Sequence, residues 1–138
     1  MNMRTLSLAA LTLLDVPPPE QVRIAAQAGF THVGLRLLPA TPSDPDYAML
    51  GDTPAVRDTL AALMATGVRV SDVEIVRLTP DFALNARLRL FLDTAARLGA
   101  KQVLVAGNDD NRTRSAENLA RLAEAGQAYG LTMNLEPM

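Results

Sequence analysis

The chain has 138 residues, 49% of them apolar and 20% charged, with a net charge of −2. That is enough for one domain with a real core, and it argues against disorder and against any bulk electrostatic attraction to nucleic acid or an anionic membrane. The absence of cysteine excludes disulfides, thiolate metal sites and a cysteine nucleophile, and agrees with a reducing, cytoplasmic setting.

The first segment, MNMRTLSLAALTLLDV, joins Arg4 to an apolar stretch from Leu6 to Leu14. It has the outline of a short secretion signal but lacks a small-x-small cleavage site before DVPPPE, so it is read as a buried first strand over 4–10. A helix is expected over 18–28, ending at Gly29, and then a strand over 32–37. A proline-rich loop, LLPATPSDPDYAMLGD, leads to a helix over 54–66 that opens on Thr53-Pro54 and stops at Gly67. The next elements are a strand over 69–76 and a helix over 82–98, started by Thr79-Pro80 and ended by Gly99. A strand over 102–107, a helix over 113–129 capped by Thr113 or Ser115 and ended by Gly130, and a strand over 131–136 complete the series. Helix, glycine and apolar strand thus recur at about thirty to forty residues, the size of one βα unit. No segment is long enough to span a bilayer.

Strands alternating with helices predict a parallel sheet. Alternation within the strands selects the architecture. One face carries Leu6, Leu8, Val33, Leu35, Val73, Ile75, Val103, Val105, Met133 and Leu135, and must meet the helices. The other carries Ser7, Ala9, Gly34, Arg36, Asp72, Glu74, Leu104, Ala106, Asn108, Asn134 and Glu136. A doubly wound sandwich would have to bury those charges, whereas a barrel lumen takes inward side chains and gathers polar groups at its C-terminal mouth. A whole barrel of this kind has eight units and about 250 residues. The chain therefore reads as an α/β protein with a parallel (βα) repeat of five strands and four helices. That is the first half of a (βα)8 TIM barrel, a single incomplete domain over 1–138. The last strand would leave an open edge, so the sequence is either part of a longer chain or completed by another copy or chain.

The candidate residues for chemistry sit at the predicted mouth. Glu136 ends the last strand on the lumen face, with Asn134 two residues before it and Pro137 after it. A carboxylate there suits a hard-metal ligand or a general base, and otherwise is a solvated side chain. Asp72 and Glu74 form a second acidic pair, suited to substrate hydroxyls, metal, or a lumen salt bridge with Arg36. Arg36 would hold a carboxylate, a phosphate or a sugar hydroxyl, or simply pair with those acids. Asn108, Asp109 and Asp110 suit either a polyol or a turn and helix start. Tyr47 in the proline-rich loop would cover a substrate or pin its own loop. His32, the only histidine, opens a strand at the far end and is read as structural. NRT at 111–113 matches a glycosylation sequon that matters only on export. Gly-rich phosphate loops, GxSxG and HExxH are absent from the sequence.

The ordered series LSLAALTLL, AAQAGFTHVGLRL, GVRVSDVEIVRL, AARLGAKQVLVAGND and YGLTMNLEPM resembles the sugar phosphate isomerase/epimerase group of xylose isomerase-like TIM barrels. The resemblance covers the whole chain but only the first half of that group's length. It implies that the glutamate ending the fifth strand, Glu136 here, binds a divalent metal such as manganese, magnesium, cobalt or zinc. The other ligands, an Asp, a His and a second Glu, and the second catalytic glutamate would come from later strands. The implied reaction is metal-assisted isomerisation or epimerisation of a small sugar, sugar phosphate or polyol, or a related lyase step, with carboxylates moving a proton beside the carbonyl. This chain would be an incomplete and inactive portion of that enzyme. On this reading Glu136 and Glu74 are catalytic, and Arg36, Asn108, Asn134 and Asp72 bind substrate. The endonuclease IV branch of the same fold uses histidines at early strand ends. Arg36 and Glu74 stand there instead, which disfavours DNA repair. The non-enzymatic alternative is a half-barrel that binds a partner or a second copy through its open sheet edge.

Overall fold

The structure, a computed structural model, describes residues 4–138; the first three residues of the signal-like segment lie outside the described residues. One parallel sheet holds five strands, β1 (Ser7–Leu8), β2 (His32–Arg36), β3 (Arg69–Leu78), β4 (Gln102–Gly107) and β5 (Thr132–Pro137). Between them lie four helices, α1 (Pro18–Gln27), α2 (Pro54–Thr66), α3 (Ala86–Arg97) and α4 (Arg112–Gln127). The strands neighbour one another in chain order, all parallel, which is the succession of half a (βα)8 barrel. Among the described residues no helix is long and apolar enough to cross a membrane.

Local chemistry sets the helix ends. The Thr53 hydroxyl accepts the Val56 N–H at 3.2 Å, Pro54 takes the first helical position, and Gly67 closes α2 at φ 76°. Such a φ is open to glycine at little cost, which is why a glycine marks this boundary. Two expected starts move. α3 begins at Ala86, not 82, because the Asn85 side chain accepts the Leu88 N–H at 3.0 Å. Thr79 instead donates to Asp81 at 2.6 Å in a separate turn. Asn111, not Thr113 or Ser115, caps α4 by accepting the Arg114 N–H at 3.0 Å.

The first strand is shorter than expected. Only Ser7–Leu8 pairs with β2, and Ala10–Leu13 coil into a 3₁₀ turn. Alanine and leucine favour helical backbone over extended, and local hydrogen bonds complete the turn, with Thr12 N–H donating to Ala9 O at 3.1 Å. Ala9 precedes that turn outside β1, and Leu6 is 54% exposed instead of facing the helices.

β3 departs from simple alternation twice. Val33 pairs with Val70 but Gly34 with Asp72, leaving Ser71 as an extra residue. Val73 pairs with Val103 but Val76 with Val105, so Glu74 and Ile75 together oppose Leu104. Each insertion resets the two-residue period. Val76 therefore takes the helix-facing place expected for Ile75, which stays outside the main core cluster. That cluster joins Val33, Leu35, Val73, Val103 and Val105 of the strands to Val22, Val56, Phe91, Leu92 and Leu122 of the helices.

Candidate functional site

The inner face of the sheet carries its polar side chains in rows set by register. Gly34, Asp72, Gln102 and Thr132 form one row, and Arg36 and Glu74 lie in the next. Asp72 lies across Gly34: a Cβ added to that glycine would stand 2.9 Å from Asp72 Oδ1. The Ser71 hydroxyl donates to Asp72 Oδ1 at 2.6 Å and is itself hydrogen-bonded to the Ser7 hydroxyl at 2.7 Å. Asn134 donates to Gln102 Oε1 at 2.7 Å. Asp72, Gln102, Leu104 and Asn134 line an open hollow of about 380 Å³.

Arg36 and Glu74 are brought together at the C-terminal ends of β2 and β3. Arg36 Nη2 lies 3.0 Å from Glu74 Oε1, and Nη1 lies 3.4 Å from Asp44 Oδ2. Asp44 is held by the Ala40 and Thr41 N–H groups, each at 3.0 Å. Glu74 is only 6% exposed. Burial pushes its carboxyl above the ordinary range, Arg36 pulls it back, and Asp72 and Glu136 push it further up. Glu136 stands exposed on β5, opposite Ala106.

Arg77 is the mouth residue that sequence reasoning missed. After the second bulge it falls on the inner face, between the core residues Val76 and Leu78. Its signal was the triplet Val76-Arg77-Leu78, whose apolar flanks are out of phase with the helix-facing Val73 and Ile75 of simple alternation. Arg77 Nη1 donates to Asn108 Oδ1 at 2.8 Å, which positions one of the expected substrate-binding residues. Asp109 accepts two hydrogen bonds from Arg114, at 2.6 and 2.7 Å, and so serves the start of α4. Tyr47 donates to Leu14 O at 2.9 Å and packs on the core, which pins its loop. His32 stays at the opposite end of β2, beside the Thr31 hydroxyl.

Among the described residues the donor set is incomplete for a divalent ion. Among the described residues no three His, Cys, Asp or Glu side chains come together as a metal group. Glu74 is engaged by Arg36 and Asp72 by Ser71, which leaves Glu136 as a lone ligand where such ions take four or more.

No protein-family profile matches the chain, and no curated protein does. Solved structures do. A xylose isomerase domain containing protein from Salmonella typhimurium LT2 superposes at a TM-score of 0.73 with 16% identity, over 100% of this chain and 52% of that one. A sugar phosphate isomerase/epimerase from Parabacteroides distasonis ATCC 8503 gives 0.64 and 19%, over 99% and 52%. The IolI protein with a bound zinc atom gives 0.70 and 15%, over 98% and 52%. The likeness is one of fold. The chain has the architecture of the first half of a (βα)8 TIM barrel, and it spans about half the length of the structures it matches.

Proposed function

We propose that the chain is a single incomplete barrel domain supplying half the site of a sugar or sugar-phosphate isomerase or epimerase. The observation that carries this reading is the gathering of Arg36, Glu74, Arg77 and Glu136 at the C-terminal ends of β2, β3 and β5, on the sheet face opposite the helix-packed core among the described residues. Barrel enzymes place their chemistry at that end. A small polyol or keto substrate would lie in the hollow over Leu104, with Asp72, Asn134 and Asn108 meeting its hydroxyl groups. Arg36, held by Glu74 and Asp44, would orient it.

The chemistry asked of these residues is removal of a proton from the carbon beside a carbonyl and its return to the neighbouring carbon or the opposite face. A carboxyl with its proton affinity raised by burial suits such transfer, which favours Glu74. Glu136 is the solvent-facing carboxylate, free to take a proton or to serve as one ligand of a divalent ion. Any further donors to that ion would come from outside the described residues.

The test is turnover of paired aldoses and ketoses, free and phosphorylated, by the protein purified from its native source, with metal content measured in parallel. Glu136→Gln should lower turnover by about 10²-fold or more while leaving thermal stability unchanged. Full turnover in that variant would remove the role given to Glu136.

One observation favours a second reading. Leu135 is 46% exposed on the helix-facing side of β5, which pairs with β4 alone among the described residues, and a second copy docking there would cover it. Sedimentation of the chain would then show a dimer that Leu135→Lys dissociates.

A further inference from the structure

Two arginines reach the mouth, and their surroundings differ. Arg36 is matched by two carboxylates, Glu74 and Asp44. Arg77 is half-buried and meets only neutral acceptors: its Nε donates to Ala40 O at 2.9 Å and its Nη1 to Asn108 Oδ1 at 2.8 Å. The ion pairs among the described residues involve Arg23, Arg36, Arg57, Arg97 and Arg114, not Arg77. Two hydrogen bonds thus fix the guanidinium plane, while no carboxylate among the described residues pairs with its charge. A guanidinium held this way keeps part of its donor fork for a carboxylate or phosphate.

Register says what lies next to it. Arg77 pairs with Ala106, and Ala106 with Glu136. Two strand spacings put the backbones of Arg77 and Glu136 about 10 Å apart, with only the alanine methyl between them. That gap suits a chain of a few carbon atoms.

We propose that Arg77 anchors an oxyanion, a carboxylate or a phosphate, at one end of the ligand, whose hydroxylated remainder lies across Ala106 toward Glu136. This rests on the inner face being the ligand site. It narrows the ligand to a short anionic polyol and sets neutral sugars aside.

The test is an NMR titration of the isotope-labelled chain at physiological ionic strength with D-glycerate, glycerol 3-phosphate and neutral glycerol. At least one anion should shift the Arg77 Nε–H and the Asn108 and Glu136 amides saturably, and glycerol should not. Whichever anion binds more tightly identifies carboxylate or phosphate as the natural end group. Arg77→Gln should weaken that binding at least tenfold, with Arg77→Lys intermediate because it restores charge without the fork. Equal binding by a folded Arg77→Gln protein, or no saturable shift with either anion, overturns the proposal. If Arg77→Gln fails to fold, the Arg77 Nε–H signal of the unaltered chain decides alone. Failure here would leave the isomerase reading standing for a neutral substrate, because that reading is tested separately by turnover and Glu136→Gln.

Discussion

β3 and β5 each carry glutamate on the inner face and aliphatic residues on the other, yet they place those residues in different worlds. β3 is paired on both sides, and its helix-facing Val70, Val73, Val76 and Leu78 are 3%, 0%, 3% and 0% exposed. Among the described residues β5 has a single neighbour, and its Leu135 is 46% exposed. Glu74 on β3 is buried against Arg36, whereas Glu136 on β5 is open to solvent. Residue type and face are shared. Neighbours decide whether a carboxylate is buried in a salt bridge or stands in solvent.

The largest expected effect sets the two strands directly against each other. Leu78→Ala should cost about 2–5 kcal/mol, because it leaves a hole in a closed core. Leu135→Ala should cost less than about 1 kcal/mol, since it removes little buried surface. Urea unfolding midpoints at a constant m-value measure both, and equal losses would break the contrast.

A smaller effect probes the close approach of β2 to β3. Gly34→Ala should destabilise by about 1–3 kcal/mol, as its methyl displaces the Asp72 carboxylate. In the Asp72→Ala background the same change should cost clearly less, and strict additivity in that double-mutant cycle would sink the explanation.

The smallest effect is a slope. Glu74 has a folded pKa raised by burial, so the folded chain keeps a proton that the unfolded chain has already released. Its contribution to stability is therefore present below the ordinary glutamate range and is lost as pH rises through the raised folded value. Glu74→Gln should remove that decline while keeping an oxygen for Arg36. Stability curves collected across this window should run flatter in the variant, and parallel curves would contradict the assigned burial.

How far the site could be read in the sequence follows from the same pair of strands. β5 keeps unbroken register with β4 from Thr132 to Pro137, so strict alternation placed Asn134 and Glu136 on the inner face correctly. In β3 alternation worked as far as Glu74 and failed beyond it, because a bulge is an insertion that shifts the face of everything after it. Arg77 was lost for that reason. The first strand failed differently: Ala-Ala-Leu-Thr-Leu-Leu is apolar in either state, and only the local turn at Ala10–Leu13 revealed which one it takes. Asn85 and Asn111 were good caps in plain sight, but Thr79 and Ser115 were equally eligible by residue type, and the packing of the loops chose between them.

Taken by itself, the order of residues was sufficient for the five-strand, four-helix succession, the half-barrel architecture and the polar inner face. These follow from glycine stops, apolar periodicity and the cost of burying charge, all local or nearly local properties. Tertiary structure alone decided that Arg36 is matched by Glu74 and Asp44, that Asp72 rests on the bare face of Gly34, and that Arg77 reaches the mouth without a counterion among the described residues. Those outcomes depend on register between strands distant in the chain, where one inserted residue exchanges a core position for a place in the site.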